Sequence, residues 1–316
     1  MTATEPGTVL ITGPTSGLGR ALTLELAGRA APERPDLLLV GRPGENLTDV
    51  AAEALAAGAT VEAIPCDLSR LADVRAAAAR ARQLLAANAV QPLRGLVANA
   101  GVSVTDTRGA SADGYEMTFA VNYLAHAQLI GDLLSSFTAP ARIVLLGSNT
   151  YWANRYRRML RVPAAQWRDP LDLARPAPAD SAPTMQAAGV AYSNSKLAVL
   201  YYAHELQRRA GDGVSVSVFE PGFMPGTGLG REAPRALQAI GRAIARLPGV
   251  STPARSAPAL ASIVLDERWA HLRDGAFVVR EKETEVQPFA RDHERELRLW
   301  AATEELLDKD AADGVE

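Results

Sequence analysis

Residues 8–19 read TVLITGPTSGLG, in which an apolar run of strand length leads directly into glycines at positions 13, 17 and 19. The pattern predicts a first β-strand, a tight turn and the start of a helix. Gly13 permits the turn, Gly17 lets the backbone approach a pyrophosphate, and Gly19 allows the helix to pack closely on the strand. Free N–H groups at the helix start and the helix dipole favour a bound anion. The stretch therefore predicts a nucleotide-binding site.

Apolar runs recur along the chain and alternate with helical patterns. Seven runs predict strands, at Val9–Thr12, Asp36–Val40, Thr60–Ile64, Gly95–Asn99, Arg142–Leu146, Val214–Phe219 and Ala276–Val279. Helices are predicted between them, including Leu18–Ala30, Thr48–Ala57, Leu71–Ala87, Asp113–Phe137 and Val190–Ala210. Near-continuous Val, Leu and Ile content is typical of a sheet covered on both faces. We therefore predict an α/β Rossmann fold with a doubly wound, mostly parallel seven-stranded sheet.

Nothing in the sequence divides this pattern into separate domains. It contains no internal repeat, linker or low-complexity segment, so residues 1–316 are predicted to form one domain. Two regions stand outside the alternating core. They are an insertion at about 149–189 and a C-terminal helical tail at about 289–316, in which Arg291–Leu307 has an amphipathic pattern.

Composition excludes several broad classes of protein. The net charge of −3 argues against nucleic acid as a partner. The single cysteine, Cys66, rules out an internal disulfide and fits a reducing compartment. No segment resembles a signal sequence or approaches 18 uninterrupted apolar residues, and no residue cluster has metal-ligand spacing. We expect a cytoplasmic protein with a small-molecule substrate and no membrane span, for which a homo-oligomer is compatible with the sequence.

The stretch AYSNSK at residues 191–196 places a tyrosine and a lysine four residues apart. On a helix, Tyr192 and Lys196 share one face. A nearby cation lowers a tyrosine pKa from its usual value of about 10, so Tyr192 is expected to act as a general acid or base near neutral pH. The alternative is an ordinary helix with a surface lysine and a half-buried tyrosine.

The end of the second predicted strand bears on the choice of nucleotide. A carboxylate at this point commonly binds the ribose 2′-hydroxyl of NAD, whereas an arginine accommodates the 2′-phosphate of NADP. Here the residues are Gly41 and Arg42, with no acidic residue until Glu45. Charge complementarity therefore favours NADP(H) over NAD(H). The alternative is that Arg42 is a solvated loop residue.

Five further motifs follow the remaining strands in order. They are Asp67-Leu68, Asn99-Ala100-Gly101, Asn122 inside a helix, Ser148 after Leu145-Leu146-Gly147, and Pro221-Gly222. Together with residues 8–19 and 191–196, this series resembles the short-chain dehydrogenase/reductase family. The resemblance covers about residues 8–230. The long insertion and the C-terminal tail resemble the retinol-dehydrogenase-like branch, and the insertion also resembles the protochlorophyllide-reductase-like branch.

The resemblance implies a role for each motif residue. Tyr192 would be the proton donor, and Lys196 would hold the ribose hydroxyls and lower the Tyr192 pKa. Ser148 would hydrogen-bond the substrate oxygen, and Asn122 would anchor a water leading to Lys196. Besides Tyr192 and Lys196, the cofactor would be held by Gly13, Thr15, Ser16, Gly17, Leu18, Gly19, Arg42, Asp67, Leu68, Asn99, Ala100, Gly101, Pro221, Gly222 and Phe223.

The insertion at 149–189 widens the separation of Ser148 and Tyr192 to 192 − 148 = 44 residues. It is rich in arginine and aromatic residues, and long connections beside a catalytic strand end often carry lids. We interpret it as an amphipathic lid over a bulky, apolar or partly anionic substrate. The alternative is a solvent-exposed structural segment that takes no part in substrate binding. The acidic net charge of the chain argues against a nucleic-acid-binding surface.

The segment after the sixth strand departs from the family pattern. Thr227 stands one residue later than usual, which leaves its contact with the nicotinamide open. Glu232–Leu247 is rich in helix-forming residues and is expected to form the other wall of the pocket.

These observations lead to three hypotheses of function. The first is an NADP(H)-dependent carbonyl reductase or alcohol dehydrogenase acting on a bulky, largely apolar molecule. The second is reduction of a conjugated C=C bond on the same scaffold, which the sequence does not separate from the first. The third is a non-catalytic protein that senses NADP, which loss of the tyrosine, lysine or serine would favour; all three residues are present.

Overall fold

The computed structural model describes residues 6–153, 155–159, 162–224 and 250–313. Within these ranges, eight strands are present: β1 Thr8–Thr12, β2 Asp36–Gly41, β3 Val61–Pro65, β4 Leu93–Ala98, β5 Phe137–Leu146, β6 Val214–Glu220, β7 Ala276–Val279 and β8 Lys282–Glu283. They form one sheet in the order β3-β2-β1-β4-β5-β6-β7-β8. The first seven strands pair in parallel, and only β8 is antiparallel to its neighbour.

The described helices lie between these strands and after them. They are α1 Gly17–Ala27, α2 Glu45–Ala56, α3 Leu71–Ala86, α4 Met117–Phe119, α5 Ala125–Leu133, α6 Arg155–Met159, α7 Pro170–Leu173, α8 Met185–Arg209, α9 Pro253–Leu265 and α10 His293–Asp313. A π-helical segment, Ala120–Leu124, joins α4 to α5. Short 3₁₀ turns occur at Ala31–Glu33, Leu134–Ser136, Asn149–Tyr151, Glu267–Trp269 and Pro288–Arg291.

The predicted doubly wound, mostly parallel fold is confirmed, with one correction. The sheet has eight strands rather than seven, because β8 is a two-residue strand at its edge. Both residues of β8 are exposed, so this strand has no apolar pattern for the sequence to display. Pairing with the end of β7 is what defines it.

The core lies on both faces of the sheet, as the apolar strands require. In β1, Leu10 packs into the layer formed with α3, α5 and α8, whereas Val9 and Ile11 pack into the layer formed with α1, α2 and α9. All three side chains are fully buried. Since strand side chains alternate between faces, this one strand anchors both layers, at roughly 1.5–3 kcal/mol for each buried aliphatic side chain.

The strand order places a crevice at the centre of the sheet. After β3 the chain crosses back to place β4 on the other side of β1. At such a reversal the loops after the two strands diverge, leaving room for a ligand beyond their carboxyl ends. The glycine turn after β1 and the Asn99–Gly101 loop after β4 both lie there. The fold therefore brings together two of the motifs quoted above.

The helix that contains Asn122 is not the uniform helix predicted over Asp113–Phe137. Glu116 caps its start by accepting from the backbone N–H groups of Thr118 and Phe119, and the π segment then replaces the regular turns. The strand β5 already begins at Phe137. Single π turns inside helices often mark functional sites, and asparagine in mid-helix is poorly placed unless its side chain has partners.

Part of the insertion at 149–189 contacts α8. Ser193 donates a hydrogen bond to the Pro163 carbonyl at 2.9 Å, and Asn194 Oδ1 accepts from Gln166 N at 2.8 Å. Trp167 packs edge-on against Tyr201, with 4.8 Å between ring centroids. The part of the insertion from Pro163 to Trp167 therefore braces α8.

The C-terminal helix α10 packs on the same helix. The Tyr202 and Trp300 rings stack with centroids 5.5 Å apart, and His204 Nδ1 lies 2.6 Å from Glu296 Oε1 with both side chains buried. Both the insertion and the tail thus contribute to holding α8. One domain over 1–316 and a lid role for the insertion stay predictions.

Two earlier expectations fall outside the described residues. They concern Thr227 and the segment at 232–247, which lie between the described ranges. Among the helices that the structure does describe, none combines the length and apolar character needed to cross a bilayer.

Candidate active site

A cleft of about 480 Å³ opens at the carboxyl ends of the central strands. It brings together most of the residues that the sequence predicts for a cofactor. Those lining it are Gly13, Thr15, Ser16, Gly17, Leu18, Arg42, Asp67, Leu68, Asn99, Ala100, Gly101, Tyr192, Lys196 and Pro221. Five predicted residues do not line it: Gly19, Asn122, Ser148, Gly222 and Phe223. Phe223 is 70% exposed, and its packing against the cofactor stays a prediction.

The glycine turn at the head of the cleft is built for close approach. Gly13 has φ +64, a left-handed conformation that side chains rarely adopt, and its N–H donates to the Val40 carbonyl at 2.9 Å. A Cβ on Gly19 would lie 2.2 Å from the Gly13 carbonyl oxygen. Gly19 therefore serves the packing of α1 against the turn, the role predicted for it, and its place beneath the turn explains why it does not line the cleft.

Asn99 fixes this turn from the neighbouring strand. Its Nδ2 donates to the carbonyls of Thr12 and Gly13 at 3.0 and 3.2 Å. The backbone N–H of Ala100 donates to Thr12 Oγ1 at 3.0 Å. These contacts cross-link the ends of β1 and β4. The side chain of Asn99 thus holds the glycine turn in place. Its position after β4 in the sequence did not predict these contacts.

Arg42 and Asp67, which follow β2 and β3, both line the cleft. Arg42 is exposed and makes no hydrogen bond or ion pair with any residue the structure describes. Asp67 accepts from Ser69 N and Ser69 Oγ at 3.0 and 2.8 Å, which closes a local turn before α3.

The neighbouring Cys66 is buried, and burial raises the pKa of its thiol to about 12. The thiol is therefore an inert core group.

Tyr192 and Lys196 project from one face of α8, as their spacing predicts. Thr184 caps this helix by accepting from Ala187 N at 3.0 Å. Lys196 Nζ lies 5.6 Å from the centroid of the Tyr192 ring and donates to the Leu146 carbonyl at 2.8 Å. Burial lowers the pKa of Lys196 to about 8. A buried ammonium with one carbonyl partner thus lies beside the phenol.

The Tyr192 pKa differs from the expectation. Burial raises the Tyr192 pKa to about 12, the nearby Ser148 hydroxyl acts in the opposite direction, and the Glu220 carboxylate raises the pKa further. The expected decrease, driven by Lys196, is wrong for this structure. The Lys196 ammonium donates to the Leu146 carbonyl, and desolvation of the phenolate is the largest influence on the Tyr192 pKa.

Ser148 reaches Tyr192 from the end of β5. Its hydroxyl is close enough to Tyr192 to influence the phenol pKa, and its Oγ accepts from Thr150 N at 3.3 Å and from Thr150 Oγ1 at 3.2 Å. The hydroxyl is thereby held at the start of the 3₁₀ turn Asn149–Tyr151. The structure brings the predicted Ser148 and Tyr192 side chains into contact across 44 residues of sequence.

Glu220 is a neighbour of this pair that sequence reasoning missed. Its carboxylate is 6% exposed and accepts from Asn149 Nδ2 at 3.1 Å. Burial raises its pKa, and Arg157 and Arg280 oppose that shift. The available signal was a charged residue ending the buried strand VSVSVFE, immediately before Pro221. A carboxylate in that position needs buried partners.

Asn122 lies behind the cleft and joins two of its walls. Its Oδ1 accepts from Val102 N at 2.7 Å, and its Nδ2 donates to the Val102 carbonyl and to Ser195 Oγ, both at 3.0 Å. Ser195 Oγ in turn donates to the Tyr192 carbonyl at 2.7 Å. Asn122 therefore connects the loop after β4 with the helix that carries Tyr192.

A parallel sheet with a glycine turn at its strand reversal defines the class of dinucleotide-binding Rossmann proteins. Residues 7–155 match the profile of a family described as short chain dehydrogenase. Across 94% of this chain, the sequence is 30% identical to polyprenol dehydrogenase of Mus musculus and covers 83% of that protein. The chain therefore belongs to the short-chain dehydrogenase/reductase family.

Two further relatives differ in how much of them is matched. A putative daunorubicin C-13 ketoreductase, DnrU, of Streptomyces sp. (strain C5) is 35% identical over 69% of this chain, which covers 66% of that protein, just under two thirds. Retinol dehydrogenase 13 of Homo sapiens is 29% identical over 98% of this chain, which covers 87% of that protein.

Solved structures with the same fold include proteins with either nicotinamide cofactor. A putative uncharacterized protein from Mycobacterium Paratuberculosis has a TM-score of 0.66 at 24% identity and covers 97% of this chain and 95% of its own. A short chain dehydrogenase from Burkholderia cenocepacia in complex with NADP has a TM-score of 0.63 at 21% identity, covering 87% and 96%. One from Burkholderia phymatum in complex with NAD has a TM-score of 0.59 at 23% identity, covering 89% and 90%.

Proposed function

We propose that this protein is an NADP(H)-dependent oxidoreductase that transfers a hydride between nicotinamide and a carbonyl or alcohol group of a bulky, largely apolar small molecule. The observation that carries the proposal is the proximity of the Ser148 hydroxyl to Tyr192, whose side chain lines a cleft that starts at the glycine turn. Lys196 adds a cation beside the phenol.

The residues around the glycine turn fit a dinucleotide. A side chain at position 19 would collide with the Gly13 carbonyl, so glycine there lets α1 approach the turn closely. No acidic residue lies in the first turn of α1, so its N–H groups and dipole favour a pyrophosphate. Gly13 to Leu18 would hold that group, and Pro221 and the loop Asn99–Gly101 would lie along the rest of the cofactor.

Arg42 supports NADP(H) as the cofactor. Its guanidinium lies at the cleft and has no partner among the described residues, so it can bind a 2′-phosphate without breaking an existing ion pair. The nearest acidic residue in sequence is Glu45. An arginine at the end of the second strand, with no acidic residue directly beside it in the sequence, is the arrangement expected for the phosphorylated ribose.

The chain's own groups supply the proton chemistry. When bound, the nicotinamide supplies or accepts the hydride. Negative charge then develops on the substrate oxygen, and hydroxyl donors from Tyr192 and Ser148 stabilise it more in the transition state than in the ground state. Because the pKa of Tyr192 is raised to about 12, the phenol keeps its proton at neutral pH and acts as a general acid in reduction.

The walls of the cleft support an apolar substrate. Besides polar cofactor residues, they include Val102, Val104, Met117, Val121 and Met224. The names of three relatives refer to daunorubicin, retinol and polyprenol, all of them bulky molecules. We therefore place a ketone, aldehyde or alcohol of this size class beside Tyr192.

Turnover with a panel of bulky ketones and aldehydes tests this proposal. We expect the purified protein to oxidise NADPH with members of the panel and to form the alcohol, with activity much reduced in Ser148→Ala. A saturated carbonyl product from a conjugated substrate would instead indicate C=C reduction. Tight NADPH binding without turnover of any panel member would indicate a cofactor-sensing protein and contradict the proposal.

A further inference from the structure

His126, near the start of α5, is a buried group to which the proposed mechanism assigns no role. Its side chain is 2% exposed. The Nε2 atom lies 2.9 Å from Thr12 Oγ1, and Nδ1 lies 3.2 Å from the Asn122 carbonyl oxygen. Both ring nitrogens are therefore engaged by residues that belong to the site. From sequence alone this histidine, on a predicted helix, is interpreted as a packing or surface residue rather than a ligand.

The partners determine which nitrogen carries the proton. Thr12 Oγ1 already accepts from the backbone N–H of Ala100 at 3.0 Å, which leaves its own hydroxyl proton to be donated to His126 Nε2. The other nitrogen then carries the proton and donates it to the Asn122 carbonyl. The neutral Nδ1–H imidazole satisfies every group in this row.

A protonated His126 would be repelled by the positive charge of Lys196. Lys196 is the charged side chain whose field acts on His126, and burial together with that field lowers the pKa of His126 to about 4. Protonation would also place an N–H opposite the Thr12 hydroxyl, which would have to turn its proton away. The imidazole is consequently neutral across the pH range in which an enzyme of this kind works.

The row of hydrogen bonds holds groups in place and does not conduct protons. It ends in the backbone amide of Ala100 on one side and in the carbonyl of Asn122 on the other, and neither group passes a proton along. The importance of this row of hydrogen bonds lies in the two segments that it connects. Thr12 immediately precedes the glycine turn, and Asn122 is linked through Ser195 to the backbone of Tyr192.

We propose that His126 is a positioning residue of the active site, which as a neutral imidazole fixes the cofactor turn after β1 relative to the Asn122 segment and, through it, to the catalytic helix α8. The inference rests on the proposed function for its catalytic consequence. The contact with Thr12 should act on cofactor affinity, and the contact with Asn122 should act on the rate of hydride transfer.

Two variants separate these contacts. In His126→Asn the side-chain amide stands at the position of Nδ1 and can reach the Asn122 carbonyl, but it is too short for Thr12. In His126→Gln the terminal amide stands at the position of Nε2 and can reach Thr12, but not the Asn122 carbonyl. His126→Leu fills the space with neither bond. Ser262→Ala, which removes a buried hydroxyl bonded to Arg268 and Trp269, controls for a general loss of stability.

The readouts are the NADPH dissociation constant and the single-turnover rate at saturating NADPH. Losing one hydrogen bond and leaving its buried partner unsatisfied corresponds to about a tenfold effect. We expect His126→Asn to weaken NADPH binding about tenfold with a smaller change in rate, and His126→Gln to lower the rate about tenfold with a smaller change in affinity. His126→Leu should show both losses, and Ser262→Ala neither.

Two results would overturn the inference. One is a His126→Leu protein with wild-type affinity and rate, which would make His126 a space-filling residue. The other is a parallel loss of both quantities in the Asn and Gln variants, following their melting temperatures. Histidine-selective ¹⁵N spectra give a further check, since the wild type should show a neutral Nδ1–H ring from pH 5.5 to 9. The binding and spectral measurements need no carbonyl substrate, so absent turnover in the wild type would contradict only the proposed function.

Discussion

Lys196 and Tyr192 lie one turn apart on α8, with the lysine ammonium 5.6 Å from the centre of the tyrosine ring and hydrogen-bonded to the Leu146 carbonyl. The ammonium thus approaches the ring while its hydrogen bond anchors it to the end of β5. This arrangement keeps a positive charge next to the phenol, and burial makes that charge easy to lose. The pH dependence of the reaction follows from it.

The reduction rate should fall as the pH rises through about 8. The pKa of Lys196 is lowered to about 8, so its ammonium is present below that pH and is replaced by the neutral amine above it. Tyr192 remains protonated over the same range because its pKa is about 12. We expect kcat for reduction to decline towards tenfold per pH unit above pH 8.

Lys196→Met is the matched variant for this prediction. It keeps most of the length of the side chain and removes the charge, so its low residual rate should show no decline near pH 8. A wild-type rate that stays constant from pH 7 to 10 would exclude loss of the Lys196 charge as the cause.

Arg42→Ala should weaken NADPH binding about 10–100-fold and leave NADH binding nearly unchanged. A charge-assisted hydrogen bond to a phosphate contributes about 1.5–3 kcal/mol, and only NADPH carries the 2′-phosphate. Fluorescence titration with both cofactors measures the effect. Arg82→Ala, an exposed arginine of α3 away from the cleft, is the control and should bind both cofactors as the wild type does. Equal losses for NADPH and NADH would contradict a 2′-phosphate contact.

Gly19→Ala should destabilise the fold and impair cofactor binding. The added Cβ would lie 2.2 Å from the Gly13 carbonyl oxygen and 2.4 Å from Asn99 Nδ2, so the turn itself would have to move. We expect a loss of about 1–3 kcal/mol in the free energy of unfolding, which urea titration measures.

A second helical glycine provides the comparison. Gly131 in α5 has no atom within 4 Å of an added Cβ, so Gly131→Ala should stabilise the protein by about 0.5–1 kcal/mol. If both alanine variants had the same stability, the close packing of α1 on the glycine turn would be refuted.

His126 should make the protein lose stability on acidification. Its pKa is lowered from 6.5 to about 4, so between those values the unfolded chain binds a proton that the folded protein does not. The free energy of unfolding therefore rises with pH across this window, and His126 alone contributes about 3 kcal/mol of difference between pH 4 and 7. His126→Gln should show a correspondingly flatter pH profile in urea titrations. Superimposable profiles would contradict the burial of a neutral imidazole.

The sequence was sufficient to predict the sheet, and most of the candidate site residues that it suggested line one cleft, because both depend on local pattern. Runs such as residues 8–12 are apolar throughout, and the glycine spacing of the following turn is itself the physical requirement for close approach. The edge strand β8 was missed because two exposed residues carry no such pattern, and the helix α9 after the sixth strand was not predicted at all.

Features that depend on tertiary surroundings could not be read from spacing. The direction of the Tyr192 pKa shift depends on how deeply α8 is covered and on where the Lys196 ammonium points. The roles of Glu220 and His126 depend on partners 71 and 114 residues away. Local pattern places such residues on a strand end or a helix face, and only the assembled fold supplies their partners.

The most direct measurement is the single-turnover rate of NADPH oxidation by Tyr192→Phe with a bulky ketone, together with its NADPH dissociation constant. The substitution removes one hydroxyl from an otherwise unchanged ring. The proposed mechanism predicts a rate reduced by about 10²–10⁴ with cofactor affinity within about threefold of the wild type. A rate equal to that of the wild type would show that Tyr192 does not donate the proton.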